Sequence, residues 1–479
     1  MTSILLFIFI SIASADVYNG LTLFSPLSSQ GSASGYTYLI DSEENIVNQW
    51  QHDCRVVSIA YLESDSSIII PCTQNVVPGL GGNNSSSGGR ILKYDWYGNV
   101  LWDDIFVEEY YQPHHDIEPL PNGNILFITY ERKSYDEAVS HGRVNIENEM
   151  WPSMIIELQQ VSIDSSVIVW EWHLWDHIIQ DVDENKPNYG VVMEHPELLD
   201  INLGGLGGGG GGNNSGDWIH LNSIDYNEEL DLIAISSRKM NEFYFIDHST
   251  TTEEAASHSG GNYGKGGDFV YRWGNPQNYD RGHESDQQLI SQHSVNWIPE
   301  GYPGEGNIIL FNNMTMETGS RVLEITIPME GNNFQELGEG DFYLPLEPSW
   351  VYGEDESFFA MIQSGAFRLP NGNTLISLGS TARFFEIDPL GEIVWDYTFE
   401  GPGGQTFNGN IARAQKYHED YLILFILGDV NFDEDINILD VVQLVNLVLE
   451  NDFLNSGDIN SDETLDILDV ILLVNMIVS

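Results

Sequence analysis

Short apolar runs separated by polar turns recur along most of the chain, and this pattern predicts β-strands joined in hairpins. In each copy an apolar strand leads into a turn that contains Asp, Gly or Asn, and a second strand follows that ends near a Trp. A stretched copy runs from 243–248 to 269–274, and a weaker one begins at Arg321. The four clear copies span 38–51, 92–104, 161–172 and 384–397.

Six copies of one hairpin predict an all-β fold, a six-bladed β-propeller over residues 16–427, with a four-stranded antiparallel sheet in each blade. A pair of β-sandwiches is the alternative, but it would not require the same hairpin so often. The sequence LPNGN occurs at 120–124 and again at 369–373, and Asn-Gly between apolar runs is a strong hairpin signal. A Trp at the end of an outer strand can pack between neighbouring blades.

Two glycine-rich stretches, Gly79–Gly89 and Leu203–Gly216, interrupt the repeated pattern. Their composition predicts flexible loops inserted into the propeller. A phosphate-binding loop is not indicated, because no Gly-Lys-Ser/Thr follows either stretch.

The first fifteen residues resemble a cleaved export signal. An apolar run at 4–10 is followed by Ala13 and Ala15, which form an Ala-x-Ala cleavage pattern, so the mature chain would begin at Asp16. No Lys or Arg precedes the run, and a buried first strand is the alternative. The remainder of the chain has no apolar stretch near the ~20 residues that a membrane span needs. We therefore expect a secreted or periplasmic protein without a membrane span.

The only two cysteines are Cys54 and Cys72, which flank two β-rich runs separated by a polar turn. A hairpin could bring them together, and an oxidising compartment would permit a disulfide. Two buried free thiols are the alternative, because the required Cβ geometry cannot be deduced from the sequence.

The 479-residue chain is strongly acidic, with 73 Asp and Glu residues against 17 Lys and Arg and a formal net charge of −56. Such a polyanion gains no affinity from counterion release at phosphates, which excludes a nucleic-acid binder. An anionic substrate would have to find a locally positive pocket. The acidity also suggests bound cations.

Residues 428–479 contain two similar segments, 428–449 and 457–478, each with an acidic loop followed by an apolar stretch that predicts a helix. Oxygen-bearing side chains occupy loop positions one, three, five, nine and twelve, a pattern that binds Ca²⁺. The pair resembles a dockerin type I module, although Glu434 and Glu463 replace the glycine of position six. We expect a small α-helical module that binds Ca²⁺ and attaches to a surface or a protein partner. The candidate ligands are Asp429, Asn431, Asp433, Asn437, Asp440, Asp458, Asn460, Asp462, Asp466 and Asp469.

Three histidines lie at the entry to blade hairpins. His115 lies just before the first LPNGN, His220 precedes a strand that leads to Arg238, and His293 precedes another apolar strand. If equivalent ends of the blades lie on the same side of the propeller, these side chains converge on the central channel. There they would form a positively charged binding site for an anion. The alternatives are that His220 caps a loop and that Arg238 forms an ion pair between blades.

Several segments resemble the arylsulfotransferase family (aryl-sulfate sulfotransferases) in the same order and cover most of residues 90–425. They are HHDIEPLPNGNILFI, DWIHLNSIDYNEELDLIAISSR, QHSVNWIPEG with GNIILFNN, SRVLEITI, and SGAFRLPNGNTLISLG. The resemblance implies a propeller that moves a sulfuryl group from a phenolic sulfate ester to a phenol. It implies a transiently sulfated histidine and no nucleotide donor, and this chemistry requires no metal.

Matched by motif, His220 and His293 correspond to the family's channel histidines, and Arg321 corresponds to its sulfate-binding arginine. The family's sulfated histidine follows that arginine, but here no His occurs between Arg321 and His418. His220 and His293 are therefore the candidate nucleophiles. The candidate substrate-binding residues are His115, Arg238 and Asn222.

The missing late histidine favours a second hypothesis, a non-catalytic propeller that binds sulfated or phenolic ligands and is anchored by its C-terminal module. A third, a secreted quinone-dependent oxidoreductase, has the least support, because vicinal cysteines are absent.

Overall fold

The computed structural model describes most of the chain. The described residues are 16–27, 35–73, 77, 80, 87–207, 216–314, 319–331, 333–354, 358–401, 410–422, 427–431, 435–450, 454–460 and 464–478. The predicted export signal at 1–15 and the candidate calcium ligands Asp433 and Asp462 lie outside these residues.

Six four-stranded antiparallel sheets form the blades of a β-propeller, as the hairpin repeats predict. The innermost strands of blades three, four, five and six contact one another in succession, and that of blade six also contacts the innermost strand of blade one. From the innermost strand outward, the blades are blade one (β30 Asn410–His418, β1 Gly20–Leu27, β2 Gly35–Ile40, β3 Ile46–His52), blade two (β4 Tyr61–Leu62, β5 Ile68–Thr73, β6 Gly89–Tyr94, β7 Val100–Ile105), blade three (β8 Tyr111–Pro119, β9 Ile125–Glu131, β12 Ser153–Ser162, β13 Ser165–His173), blade four (β16 Leu221–Asn227, β17 Leu232–Ser237, β18 Glu242–Asp247, β19 Tyr271–Trp273), blade five (β20 His293–Trp297, β21 Ile308–Asn312, β22 Arg321–Ile325, β25 Trp350–Tyr352) and blade six (β26 Gly365–Arg368, β27 Thr374–Leu378, β28 Arg383–Ile387, β29 Ile393–Thr398).

Short sheets and helices complete the secondary structure of the described residues. The two-stranded sheets are β10 Lys133–Ser134 with β11 Glu149–Met150, the parallel pair β14 Ile178–Ile179 with β15 Leu199–Asp200, and β23 Met329–Glu330 with β24 Asn333–Phe334. The α-helices are α1 Tyr135–Ser140, α2 Thr252–Ala255, α3 Ile438–Glu450 and α4 Ile467–Val478. The 3₁₀ helices are Leu174–His177, Val192–Glu194, Pro276–Tyr279, Glu284–Asp286, Glu419–Tyr421 and Asn455–Gly457. Among the described residues, no helix combines the length and apolar character that crossing a bilayer requires.

Each repeated sequence forms the outer hairpin of one blade. The copies at 38–51 and 384–397, for example, are the hairpins β2–β3 and β28–β29. Both LPNGN sequences turn between the first and second strands of a blade, where Gly123 and Gly372 take positive φ angles of 83° and 89°. Glycine adopts this left-handed conformation without steric strain, which explains why the turn contains it.

Trp side chains join neighbouring blades, as the sequence predicts. Trp50 at the end of blade one is buried, and its Nε1 donates to the carbonyl oxygen of Asp95 in blade two at 2.9 Å. Trp172 of blade three donates in the same way to Gly267 in the blade-four insertion at 2.7 Å. Each indole thus removes a large apolar surface from water and satisfies its N–H.

The propeller ring is closed by pairing the last strand with the first. Strand β30 is antiparallel to β1, with Gly20 opposite His418 and Leu27 opposite Asn410. Lys416 on β30 also forms a fully buried ion pair with Glu386 on β28, at 2.7 Å. The closing strand therefore connects blade one to blade six.

Cys54 and Cys72 form a disulfide, which decides between the two alternatives that the sequence left open. The bond joins the segment before blade two to β5, and both residues are buried. It closes a covalent loop within blade two, because the cysteines are 18 positions apart.

Residues 420–479 belong to a second compact unit, together with the turn Glu63–Ser66. Helices α3 and α4 of this unit pack through a core that includes Leu444 and Leu473. Asp440 accepts backbone N–H bonds from residues 430, 431 and 437, and Asp469 accepts the equivalent bonds from 459, 460 and 466. The two loops thus repeat one geometry, whereas Ca²⁺ binding and the likeness to a dockerin stay predictions.

Candidate active site

Three successive inner strands are distorted at equivalent places. The pairing register of β8, β16 and β20 with their neighbours shifts at 113–117, 221–223 and 293–296. His115, His220 and Ser294 adopt left-handed backbone angles at these points, with φ values of 57°, 52° and 55°. Bulges of this kind redirect side chains and are common beside active sites. Here they occur where the candidate histidines lie.

The distorted strands bring four histidines together. The ring centroids of His115 and His220 are 4.6 Å apart, and Nδ1 of His115 lies 2.7 Å from Nδ1 of His114. Burial lowers the pKa of His115 well below its usual range, and the charges of His220, His114, His293 and Arg238 lower it further. Burial also lowers the pKa of His114 to about 3.

His220 is oriented by a carboxylate. Its Nδ1 lies 2.7 Å from Oδ2 of Asp217, and both side chains are buried. Burial alone would raise the pKa of Asp217, but the charge and hydrogen bond of His220, followed by the charge of Lys239, hold it below its ordinary value. A carboxylate at this distance accepts the Nδ1–H, so in the neutral form of the ring the lone pair of His220 lies on Nε2.

His293 is oriented by an amide. Asn313 donates its Nδ2–H₂ to the carbonyl oxygens of Ala360 and Gln363 at 2.9 Å each, which identifies its Oδ1 as the acceptor. Nδ1 of His293 lies 2.7 Å from that Oδ1 and 3.0 Å from the carbonyl oxygen of Ser291. Burial, together with the charges of Arg238 and His220, lowers the pKa of His293 to about 3 despite these bonds. The ring is therefore neutral and keeps its Nε2 lone pair.

Arg238 supplies a positive charge beside the histidines. Its backbone N–H donates to the carbonyl oxygen of His220 at 3.1 Å. Within the part of the chain that the structure describes, no hydrogen bond or ion pair engages its guanidinium. Burial lowers the pKa of Arg238, and the nearby Asp217 opposes this effect. The half-buried guanidinium is thus available to an anion, and it is not the interblade ion pair of the alternative reading.

Arg321 and Asn222, two other predicted site residues, take part in strand pairing and in a contact between blades. Arg321 begins β22, the third strand of blade five, opposite Asn312. Among the described residues, no hydrogen bond or ion pair joins Arg321 to the four histidines. Asn222 donates to the carbonyl oxygen of Gln292 at 2.7 Å and links blades four and five. Its buried Oδ1 has no hydrogen-bond partner among the described side chains.

Two carboxylates, Asp116 and Asp225, also lie on innermost strands. Asp116 on β8 forms an ion pair with Arg413 on β30 and accepts the backbone N–H of Ile224 at 3.2 Å. Burial raises the pKa of Asp225 on β16 to about 7, and the charge of Asp116 adds to this effect. The ion pair with Asp116 thus occupies the guanidinium of Arg413.

Asp217 and Asn313 were not assigned a role from the sequence. Asp217 precedes His220 by three residues in DWIH, and a carboxylate at that spacing in a tight turn could have been recognised as its partner. Asn313 lies 20 positions from His293. Its contact depends on how blade five folds, so no local signal in the sequence identifies it.

Residues 12–326 match the family model described as Arylsulfotransferase (ASST). The chain belongs to the arylsulfotransferase family. The match covers His115, His220, Arg238 and His293, and it supports aryl sulfotransferase function in general terms. Blade six and the C-terminal unit lie beyond the matched residues of this arylsulfotransferase-family chain.

The solved structures that match this chain share little sequence with it. A protein of unknown function from Bacteroides caccae is 10% identical with a TM-score of 0.44, and the alignment covers 84% of this chain and 100% of that one. A protein from Lactobacillus plantarum is 9% identical with a TM-score of 0.38, covering 80% and 83%. The virginiamycin B lyase of Staphylococcus aureus is 10% identical with a TM-score of 0.34, covering 82% and 95%. These likenesses carry no functional argument. No curated protein matches the chain.

Proposed function

We propose that the protein transfers a sulfuryl group from a phenolic sulfate ester to a phenol, without a nucleotide donor, at the cluster of His115, His220, His293 and Arg238. The observation that carries this proposal is the guanidinium of Arg238, which has no partner among the described residues and lies beside the imidazoles. In so acidic a protein, a half-buried cation without a carboxylate partner is suited to an anion. A sulfate ester presents such an anionic group.

The same groups suit the transition state. Sulfuryl transfer spreads negative charge over the three oxygens that remain on sulfur, by analogy with phosphoryl transfer. Arg238 would stabilise that charge through its preorganised N–H groups. The burial of the site strengthens this attraction, because little water is present to screen it.

His220 is the proposed nucleophile. Its Nε2 attacks sulfur, the bond from sulfur to the phenolic oxygen breaks, and the phenolate leaves with the electron pair and takes a proton from solvent. The sulfated ring carries a positive charge, which the Asp217 carboxylate at 2.7 Å balances. His293 has only the neutral amide of Asn313 as its partner. The carboxylate partner therefore favours His220 over His293 as the nucleophile.

The second half of the reaction regenerates the histidine. The phenol acceptor releases its proton to solvent, its oxygen attacks sulfur, and the bond from sulfur to Nε2 of His220 breaks with the electron pair returning to the ring. His293 keeps a neutral Nε2 because burial lowers its pKa to about 3. That lone pair can accept the hydrogen bond of the incoming phenol and orient its oxygen.

We also propose export and a calcium-loaded C-terminal module. The Ala-x-Ala pattern that ends at Ala15 and the disulfide between Cys54 and Cys72 support an oxidising compartment outside the cytoplasm. The matching loop geometry around Asp440 and Asp469 supports a pair of Ca²⁺ loops. The module would attach the enzyme to a surface or a protein partner.

Intact-mass analysis after incubation with 4-nitrophenyl sulfate alone tests the mechanism. We expect one added SO₃ group that peptide mapping assigns to His220 and that is lost in His220→Asn. His418→Ala serves as the control, because His418 is the only histidine after Arg321, and it should retain the adduct. An adduct on another residue excludes His220 as the nucleophile. Binding of the ester without any turnover would instead support the non-catalytic propeller.

A further inference from the structure

A second cluster of titratable side chains lies where blade three meets the long insertion of blade four. His177 ends the 3₁₀ helix that follows β13, whereas His258 and Asp268 belong to the segment between β18 and β19. One potential ligand atom of each residue lies within 4.8 Å of the other two. The proposed sulfuryl transfer uses none of these three side chains.

His177 is fully buried, and both of its ring nitrogens have contacts. Its Nε2 lies 2.8 Å from the carbonyl oxygen of Ala255, and a carbonyl can only accept, so Nε2 carries the hydrogen. Its Nδ1 lies 2.7 Å from Oδ1 of Asp268. In a neutral ring, Nδ1 is then a lone pair that faces a carboxylate oxygen. Nδ1 of His177 and Oδ1 of Asp268 are thus adjacent ligand atoms that one metal cation could bind together.

The surroundings hold His177 in this orientation. The ring of Trp172 is parallel to the imidazole within 2°, with the centroids 5.6 Å apart. A Cβ atom at Gly267 would clash with the carbonyl oxygen of Ala255 and lie 2.5 Å from Nε2 of His177. Histidines that ligate metals commonly donate their other ring N–H to a backbone carbonyl, as His177 does to Ala255.

We propose that His177, His258 and Asp268 form a Zn²⁺ site, with water as the fourth ligand. Nδ1 of His258 lies 2.8 Å from the same Asp268 oxygen, and its side chain is 62% exposed, so an ion can enter from solvent. Two imidazoles and one carboxylate suit Zn²⁺. Ca²⁺ and Mg²⁺ prefer ligand sets made only of oxygen. The bound ion would fasten the insertion of blade four to the end of blade three.

The test measures Zn²⁺ binding to the chelator-treated full chain by calorimetry, in excess Ca²⁺ so that the oxygen-rich loops of the C-terminal unit do not compete. We expect one high-affinity Zn²⁺ per chain. Saturating Zn²⁺ should raise the Tm by about 5 °C. Replacement by Co²⁺ should give the visible absorption bands of a four-coordinate ion with nitrogen and oxygen ligands.

His258→Ala is the informative variant, because an exposed side chain can be removed without opening the core. It should weaken Zn²⁺ binding at least tenfold and abolish both the Tm shift and the Co²⁺ bands. His283→Ala, at another exposed histidine, is the matched control and should bind as the wild type does. Zn²⁺ binding that is unchanged in His258→Ala, or absent from the wild type, overturns the proposal and leaves a histidine–carboxylate ion pair.

Discussion

Nδ1 of His220 lies 2.7 Å from Oδ2 of Asp217, and each side chain is only 4% exposed. The carboxylate fixes which ring nitrogen carries the hydrogen, and it can balance a positive charge on the ring. The left-handed backbone at His220 holds the imidazole against its partner. This pair is therefore the most direct target for testing the proposed chemistry.

Asp217→Asn should lower kcat by about 10²–10⁴-fold with little change in KM. The asparagine amide can donate to Nδ1, which would move the hydrogen to Nε2 and remove the nucleophilic lone pair. Steady-state kinetics with 4-nitrophenyl sulfate and phenol measure the effect. Asp176→Asn, at an exposed position, is the control and should leave both constants unchanged. A purely structural role for Asp217 would instead reduce the folded fraction without this selective loss of kcat.

His220→Asn and His220→Ala should both abolish transfer but differ in stability. The residue has a φ of 52°, a conformation that Asn tolerates better than Ala. We expect the alanine variant to be less stable by about 1 kcal/mol in urea unfolding. Equal free energies of unfolding would show that the backbone at this position relaxes freely.

His248 should make stability depend on pH. Its ring nitrogens contact Asp231 at 2.9 Å and Glu157 at 3.0 Å, and these carboxylates raise its pKa to about 9 although burial opposes the shift. In the unfolded chain the pKa of His248 is about 6.5, so below that pH the folded protein has the full stabilisation from the protonated ring. This contribution is lost as the pH rises through the folded-state pKa of about 9.

The free energy of unfolding should accordingly fall by about 2–3 kcal/mol between these pH values. His248→Gln should flatten that part of the profile. Urea unfolding across the pH range, with wild type and variant measured together, checks the prediction. The same slope in both proteins would assign the pH dependence to other groups.

The buried pair of Lys416 and Glu386 should be sensitive to the loss of one partner. Both side chains are fully buried at 2.7 Å, so Lys416→Met leaves an uncompensated carboxylate and should cost about 3–5 kcal/mol. The double variant with Glu386→Gln should recover part of the loss. Arg383→Met breaks the more exposed pair with Asp396 and should cost at most about 1 kcal/mol. Similar losses of unfolding free energy in Lys416→Met and Arg383→Met would contradict the prediction that burial makes the Lys416–Glu386 pair more sensitive.

Calcium should order the C-terminal unit. Adding Ca²⁺ to the chelator-treated full chain is expected to increase the helical circular dichroism signal, because α3 and α4 follow the two acidic loops. Asp440→Asn together with Asp469→Asn should reduce the response. A helical signal that does not change when Ca²⁺ is added to the wild type would contradict calcium binding by these loops.

The outer hairpins could be predicted from the sequence because their signals are local. The turn of each hairpin and the apolar alternation of its strands lie within about a dozen residues of one another. The inner strands were less predictable. β4 has two residues and β26 has four, too few for a periodic pattern, and their pairing depends on the closed ring.

In the candidate site, too, local features could be predicted from the sequence and long-range contacts could not. Its histidines could be found from the motifs, but their orientation depends on strand bulges and on partners such as Asn313 that are distant in sequence. The motif match also assigned the sulfate contact to Arg321. That assignment stays a prediction. Arg238 lies beside the imidazoles because it follows the end of β17, where its backbone N–H donates to the carbonyl oxygen of His220.

The pairing of β30 with β1 makes the reactive cluster dependent on a late folding event. Residues 410–418 complete a sheet whose other strands lie within the first 52 residues, and contacts of such large sequence separation form slowly. A chain released before β30 would contain every residue of the proposed site but only an open arc of blades. We expect such a chain to bind no sulfate, and its uncovered strand edges would favour aggregation.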